Sequence, residues 1–174
     1  MKDTRLQRLL SELLLPILGV LFWHWGTTFL LWFMLLDVVT GLVIGRLHPV
    51  QKTSLKQSVI QVFELLLICL VIYLLTNDIV KSFSSFFAYK DMGVAQGFFI
   101  VPLLVFGEWL RLKTCKKTGV YTLNSVSFSW SRAAFMGVFL ILASFGLPEI
   151  LLSLALISLS ALSILVFPQD IVLI

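Results

Sequence analysis

Leu30-Leu31-Trp32-Phe33-Met34-Leu35-Leu36-Asp37-Val38-Val39-Thr40-Gly41-Leu42-Val43-Ile44-Gly45 decides which solvent this chain is built for. The run is apolar and long enough for a bilayer-crossing helix, yet it holds a carboxylate near its middle. A charge at that depth costs about 2.5–3.5 kcal/mol on insertion scales, so Asp37 is kept paired, protonated or in use. Four residues on, Gly41 and Gly45 make a small-residue face on which another helix can approach closely.

The composition around that stretch agrees with it. Of 174 residues 59% are hydrophobic and 13% charged, and the mean hydropathy is +1.03. Soluble domains average about 45–50% and about 25%, so the chain reads as a polytopic membrane protein. A net charge of +4 and a pI near 9.3 would suggest nucleic acid in a soluble protein. Here the basic residues fall between hydrophobic runs, where they set topology, and no nucleic-acid partner is implied. Cys69 and Cys115 fall in an apolar span and a basic loop, at different depths, which argues against a disulfide. The N-terminus has the positive start of a signal peptide, but no small-residue cleavage site follows. That run is read as a retained first helix.

Six spans are expected, over about 9–25, 28–45, 56–76, 93–111, 129–146 and 149–167, as a single all-α transmembrane bundle covering 1–174. Lys2, Arg5 and Arg8 precede the first span; Arg46, Lys52 and Lys56 follow the second; Arg111, Lys113, Lys116 and Lys117 follow the fourth. The intervening links are neutral or, at Glu149, negative. This alternation puts both termini in the cytoplasm. The last basic group also offers anionic lipid headgroups a surface, each cation contributing about 1 kcal/mol. Between the third and fourth spans, Ile79 to Lys90 fits either a short amphipathic helix in the interface or an apolar loop over the bundle.

Ionisable residues inside the spans are the candidate site. At about 1.5 Å per residue, Asp37 and Glu64 lie at matching depths, on the order of 12 Å from the cytoplasmic side. Glu12, Glu108 and Arg132 are shallower, near the same end. Glu108 with Arg132 suits an interhelical ion pair, and Glu12 suits a side chain snorkelling toward the interface. Two neighbouring carboxylates cannot both ionise cheaply, so Asp37 with Glu64 fits a proton pathway or a hydrogen-bonded structural pair. Pro16, Gly19, Gly97 and Pro102 are places where helices could break, as at transporter sites. No P-loop, dinucleotide fingerprint, His-Glu-x-x-His or haem-attachment motif occurs. The chain is therefore not expected to be an enzyme, to hold a metal or to carry a cofactor.

Asp37-Val38-Val39-Thr40-Gly41, after an apolar run and before a polar loop carrying Lys52-Thr53-Ser54-Leu55-Lys56, resembles the Asp-x-x-Thr-Gly signature of the phage holin and toxin-secretion family. The likeness covers roughly 28–110 and departs from the family at its usual aromatic second position and at a glycine after the loop. It implies oligomerisation in the cytoplasmic membrane, permeabilisation and release of a lytic enzyme or toxin. Asp37 and Thr40 would then be polar faces of the assembly, and Thr40, Gly41 and Gly45 its helix contacts. Two other classes stand beside this one. The chain can be an accessory subunit of a larger membrane complex, meeting its partners inside the bilayer, or a small transporter or channel working through Asp37 and Glu64.

Overall fold

The computed structural model describes residues 2–47, 55–91, 94–118, 120–123, 126–166 and 170–173, with side chains described for 12–44, 58–89, 95–110, 113 and 128–166. Seven helices run through the described residues: α1 (Lys2–Phe22), α2 (Thr27–Leu47), α3 (Leu55–Thr76), α4 (Ile79–Ala88), α5 (Gln96–Thr118), α6 (Val126–Ser144) and α7 (Glu149–Val166). The protein is all-α in class, with two small antiparallel pairings among the described residues. β1 (Lys90–Asp91) pairs with β2 (Val94–Ala95), and β3 (Val120–Leu123) with β4 (Asp170–Leu173).

Among the described residues three helices are long and apolar enough to cross a membrane, over Thr27–Ile44, Ser58–Thr76 and Glu149–Val166. The described apolar parts of the others are Glu12–Phe22, Ile79–Ala88, Gln96–Leu110 and Phe128–Ser144. The first turns of α1 hold Arg5 and Arg8, and α5 runs on through Arg111, Lys113, Lys116 and Lys117, which the sequence reading places in a loop. Pro16 and Pro102 lie inside α1 and α5, and each helix is continuous through its proline. The helix breaks expected there do not occur.

α2 is the most enclosed of the three long helices, with 39% of its apolar window buried against 28% for each of the others. It touches α3, α4, α5 and α7, while α6 packs on α3 and α7, and α7 on α1. The core is built outward from consecutive α2 residues, Phe29 to Phe33, against Ile68, Val71 and Ile72 of α3 and Phe139 of α6. Five successive buried residues cover every face of a helix. That is why α2 shows no amphipathic stripe.

Side-chain hydrogen bonds gather several connections at one end of the bundle. The Trp25 indole donates to Gln96, the Tyr89 hydroxyl donates to the Trp23 carbonyl at 2.8 Å, and the Trp32 indole donates to Ser82 Oγ at 2.8 Å. Thr27 Oγ1 donates to the Glu149 carbonyl at 2.9 Å, and Glu149 Oε1 accepts from the Thr27 amide at 3.2 Å. At the other end, the β3–β4 pairing ties the α5–α6 link to the tail after α7. α4 settles the open choice for its segment in favour of a helix, capped by Asp78, which accepts from the Lys81 amide at 3.0 Å. Its buried residues are Ser82 and Phe86, whereas Phe83 is exposed. Ser82 is inward, where it accepts the Trp32 indole, while Ser84 and Ser85 face out.

Two glycines allow close approach. A Cβ on Gly19 would overlap the Trp25 ring, which folds back over α1 at the turn where His24 has a positive φ of 50°. A Cβ on Gly97 would come within 2.5 Å of the Phe86 carbonyl oxygen and 2.9 Å of the Phe87 Cα, where α5 crosses the end of α4. The Phe86–Phe87 backbone cannot yield as a flexible side chain would. Gly97→Ala is therefore expected to cost about 1–3 kcal/mol by overpacking, read as a lowered melting temperature in detergent. Gly41→Ala, whose new methyl meets nothing within 4 Å, should leave stability unchanged or raised, since Ala is the better helix former.

Candidate functional site

The polar interior is centred on Arg132 of α6. Its Nε lies 2.9 Å from Glu64 Oε1 on α3, with side-chain exposures of 17% and 3%. The sequence offers Glu108 as the partner of Arg132; the structure instead places the guanidinium on Glu64. Arg132 is the charge partner of that oxygen, which is otherwise buried without a hydrogen-bond donor. One turn before Glu64, Gln61 Oε1 is likewise buried without a hydrogen-bond donor. Arg132 is also held 5.9 Å over the ring of Phe128, which is fully buried.

Asp37 meets this centre from α2. A cavity of about 40 Å³ is lined by Asp37, Glu12, Arg132, Ser160 and Ser163, with apolar walls that include Met34 and Leu156. A neighbouring void of about 20 Å³ is lined by Glu64, Arg132, Ser160 and Ser163. Arg132 thus borders both spaces, one shared with Asp37 and the other with Glu64. The expected pairing of two carboxylates is replaced by an arrangement with a cation at its centre. Glu12, Asp37 and Glu64 all lie within electrostatic reach of that one guanidinium.

The remaining sequence candidates distribute as follows. Glu108, on α5, is half-buried and lines neither cavity, though its charge reaches Asp37. Thr40 is buried on α2, and Gly41 opens onto free space. Lys113 is exposed, with its ammonium 4.9 Å over the Trp109 ring. Gly45 lies on α2 and Arg111, Lys116 and Lys117 on α5, but their side chains are outside the described residues, as is the polar loop at 48–54. Among the described residues no group of three or more His, Cys, Asp or Glu is placed to hold a metal. A wider cleft of about 490 Å³ opens at the opposite end, lined by His24, Trp32, Asp78, Lys81 and Glu149.

Sequence reasoning missed Glu12 as a cavity residue, and it missed Ser160 and Ser163. The signal for the serines is their spacing in α7. Ser153, Ser160 and Ser163 recur at helical intervals in a very apolar segment, and all three turn inward while Ser158 faces out.

Comparison with protein-family models found no match, and none was found among curated proteins or solved structures.

The Glu64–Arg132 contact generates a direct expectation. Arg132→Gln leaves a buried carboxylate without its cation, and breaking such a pair typically costs about 3–5 kcal/mol. The double change Glu64→Gln with Arg132→Gln removes both charges and should recover most of that loss. Unfolding in detergent checks this: equal losses in the single and double variants would mean that the pair is not what holds α3 to α6.

Proposed function

We propose that the chain is a six-span protein of the cytoplasmic membrane, with both termini cytoplasmic, that handles a small cation at its buried centre. In the simplest case that cation is a proton. The observation that carries this reading is the cavity of about 40 Å³ on which Asp37, Glu12 and Arg132 meet. A site needs only about 10–15 Å³ of such space to admit a water, so this one has room for an ion or a few waters and none for an organic substrate. A purely structural ion pair has no need of polar empty space beside it. The lengths of α1, α5 and α6, at 21, 23 and 19 residues, correspond to about 28–35 Å at 1.5 Å per residue. That supports their crossing together with the three more apolar helices.

The partners implied are the bilayer itself and, within it, further copies or other membrane subunits. A holin-like role is the second reading, and one observation favours it: Gly41 leaves its side of α2 open for a neighbouring helix. Against it, Asp37 lines the protomer's own cavity and Thr40 is buried, so both are spent within one chain rather than between chains.

The test is reconstitution into liposomes holding a pH-sensitive dye, with a potassium diffusion potential to drive protons. Flux above that of empty liposomes is expected, falling roughly tenfold or more in Asp37→Asn, equivalent to at least 1.36 kcal/mol on the barrier, at unchanged melting temperature. Absence of flux from well-folded protein would overturn the reading. Growth arrest on induced expression, with a homo-oligomeric ladder on cross-linking, would move the assignment to the holin-like role.

A further inference from the structure

We infer that the Asp37 cavity is a binding site for one partly dehydrated monovalent cation of sodium size, held by the Asp37 carboxylate and the hydroxyls of Ser160 and Ser163. The inference rests on the cation-handling reading above and names which ion that reading involves beyond the proton.

Hydroxyl direction is the first ground. Ser160 Oγ donates to the Leu156 carbonyl at 2.9 Å, and Ser163 Oγ donates to the Ser160 carbonyl at 2.7 Å. Ser160 Oγ also lies 4.0 Å from Met34 Sδ on the cavity wall; with the shorter bonds directing both protons to α7 carbonyls, lone pairs of these oxygens are what the cavity meets. Asp37, when ionised, also offers only acceptors. The one donor on the wall, Arg132, is drawn by its Nε toward Glu64. A wall of oxygens whose protons point elsewhere suits a cation better than it suits water, which asks for acceptors and donors alike.

Charge is the second ground. Asp37 and Glu64 face one guanidinium, so the centre carries one more negative than positive charge even before Glu12 is counted. The site does not depend on Glu12 being available. Glu64, 2% exposed, is already matched by Arg132 at 2.9 Å and borders only the neighbouring void of about 20 Å³, which leaves the Asp37 carboxylate as the negative charge facing the larger cavity.

Size and coordination select the ion. About 40 Å³ accommodates a small ion with a water or two, but not a full hydration shell. Calcium takes 6–8 oxygens and magnesium demands an octahedron with several waters. Three protein oxygens donated from α2 and α7 are too few for either without a larger chamber. A carboxylate is a strong-field ligand, and field strength is one of the two factors by which oxygen sites separate sodium from potassium; here both it and the small volume favour sodium.

The experiment uses the full chain in detergent, with melting followed by tryptophan fluorescence in sodium, potassium or choline chloride at one ionic strength. Saturable stabilisation by sodium is expected, on the order of 3 °C at saturation, the size of shift that a modest binding energy gives a chain of this length. Potassium should give less and choline none. Ser160→Ala and the double change with Ser163→Ala should abolish the sodium response while melting normally in choline, and the outward-facing Ser158→Ala should retain it. Equal melting in sodium and choline overturns the site, as does a sodium response that survives the double serine change. If proton flux in sodium-free liposomes persists while the sodium response is missing, this inference falls and the cation-handling reading stands. If both are missing, both fall.

Discussion

In the six-span arrangement proposed above, Glu64 and Arg132 meet on two helices that a bilayer would otherwise have no strong reason to join. Between transmembrane helices the hydrophobic drive is weak, because lipid tails are as apolar as leucine, so close packing and polar contacts decide who neighbours whom. Glu64 is almost fully enclosed, and Arg132 nearly so. Each would be costly to leave in hydrocarbon alone. Bringing α3 against α6 satisfies both, and α6 in turn packs on α7, which packs on α1. Once that chain of neighbours is fixed, Asp37 of α2, Glu12 of α1 and two serines of α7 converge on the same point. The charged centre is a consequence of how the helices must associate as much as a site placed among them.

The apolar part of the structure answers to a different rule. α2 is buried on all sides over Phe29–Phe33, and its hydrophobic pattern is correspondingly featureless. α5 is the reverse case. Phe98, Phe99, Phe106 and Trp109 are largely exposed, because this helix touches mainly α2 and α4 and presents the rest of itself outward. In water such a surface would invite aggregation, whereas in a bilayer it is the expected boundary with lipid. The same residues therefore carry opposite meanings depending on solvent, and three described helices long and apolar enough to cross a membrane accord with the second.

What was legible in the sequence follows from this division. Helix positions along the chain were readable, since apolar runs of bilayer length separated by charge and by turn residues leave few alternatives. Asp37, Glu64 and Arg132 were visible as out-of-place charges. Their partnership was not, because sequence orders depths and says nothing of which helix rotates toward which. The sequence reading matched Arg132 with Glu108 by depth, and it is the α3–α6 contact that brings Glu64 to it instead. Ser160 and Ser163 were hidden by being ordinary residues in an apolar helix. The continuation of α5 past Leu110 and the pairing of 120–123 with 170–173 had no periodic signal in so short a compass.

The interior polar groups of α7 fall into two sets with an apolar interval between them. At one end Ser153 Oγ lies 2.9 Å from Thr27 Oγ1, beside Glu149, and all three belong to the turn-bearing end of the bundle. Toward the other end, Ser160 and Ser163 join Asp37 and Arg132. Seven residues separate Ser153 from Ser160, about 10 Å along the helix, and over that interval Leu156 of α7 and Leu30 of α2 are both almost fully buried in the same apolar core. Water and ions do not cross such packing unaided, since close-packed side chains leave no voids of their size. Under the cation-handling reading proposed above, passage beyond the cavity therefore requires Leu30 and Leu156 to move, and the hydroxyl pair at Thr27 and Ser153 is then the next polar stop on the way to Glu149.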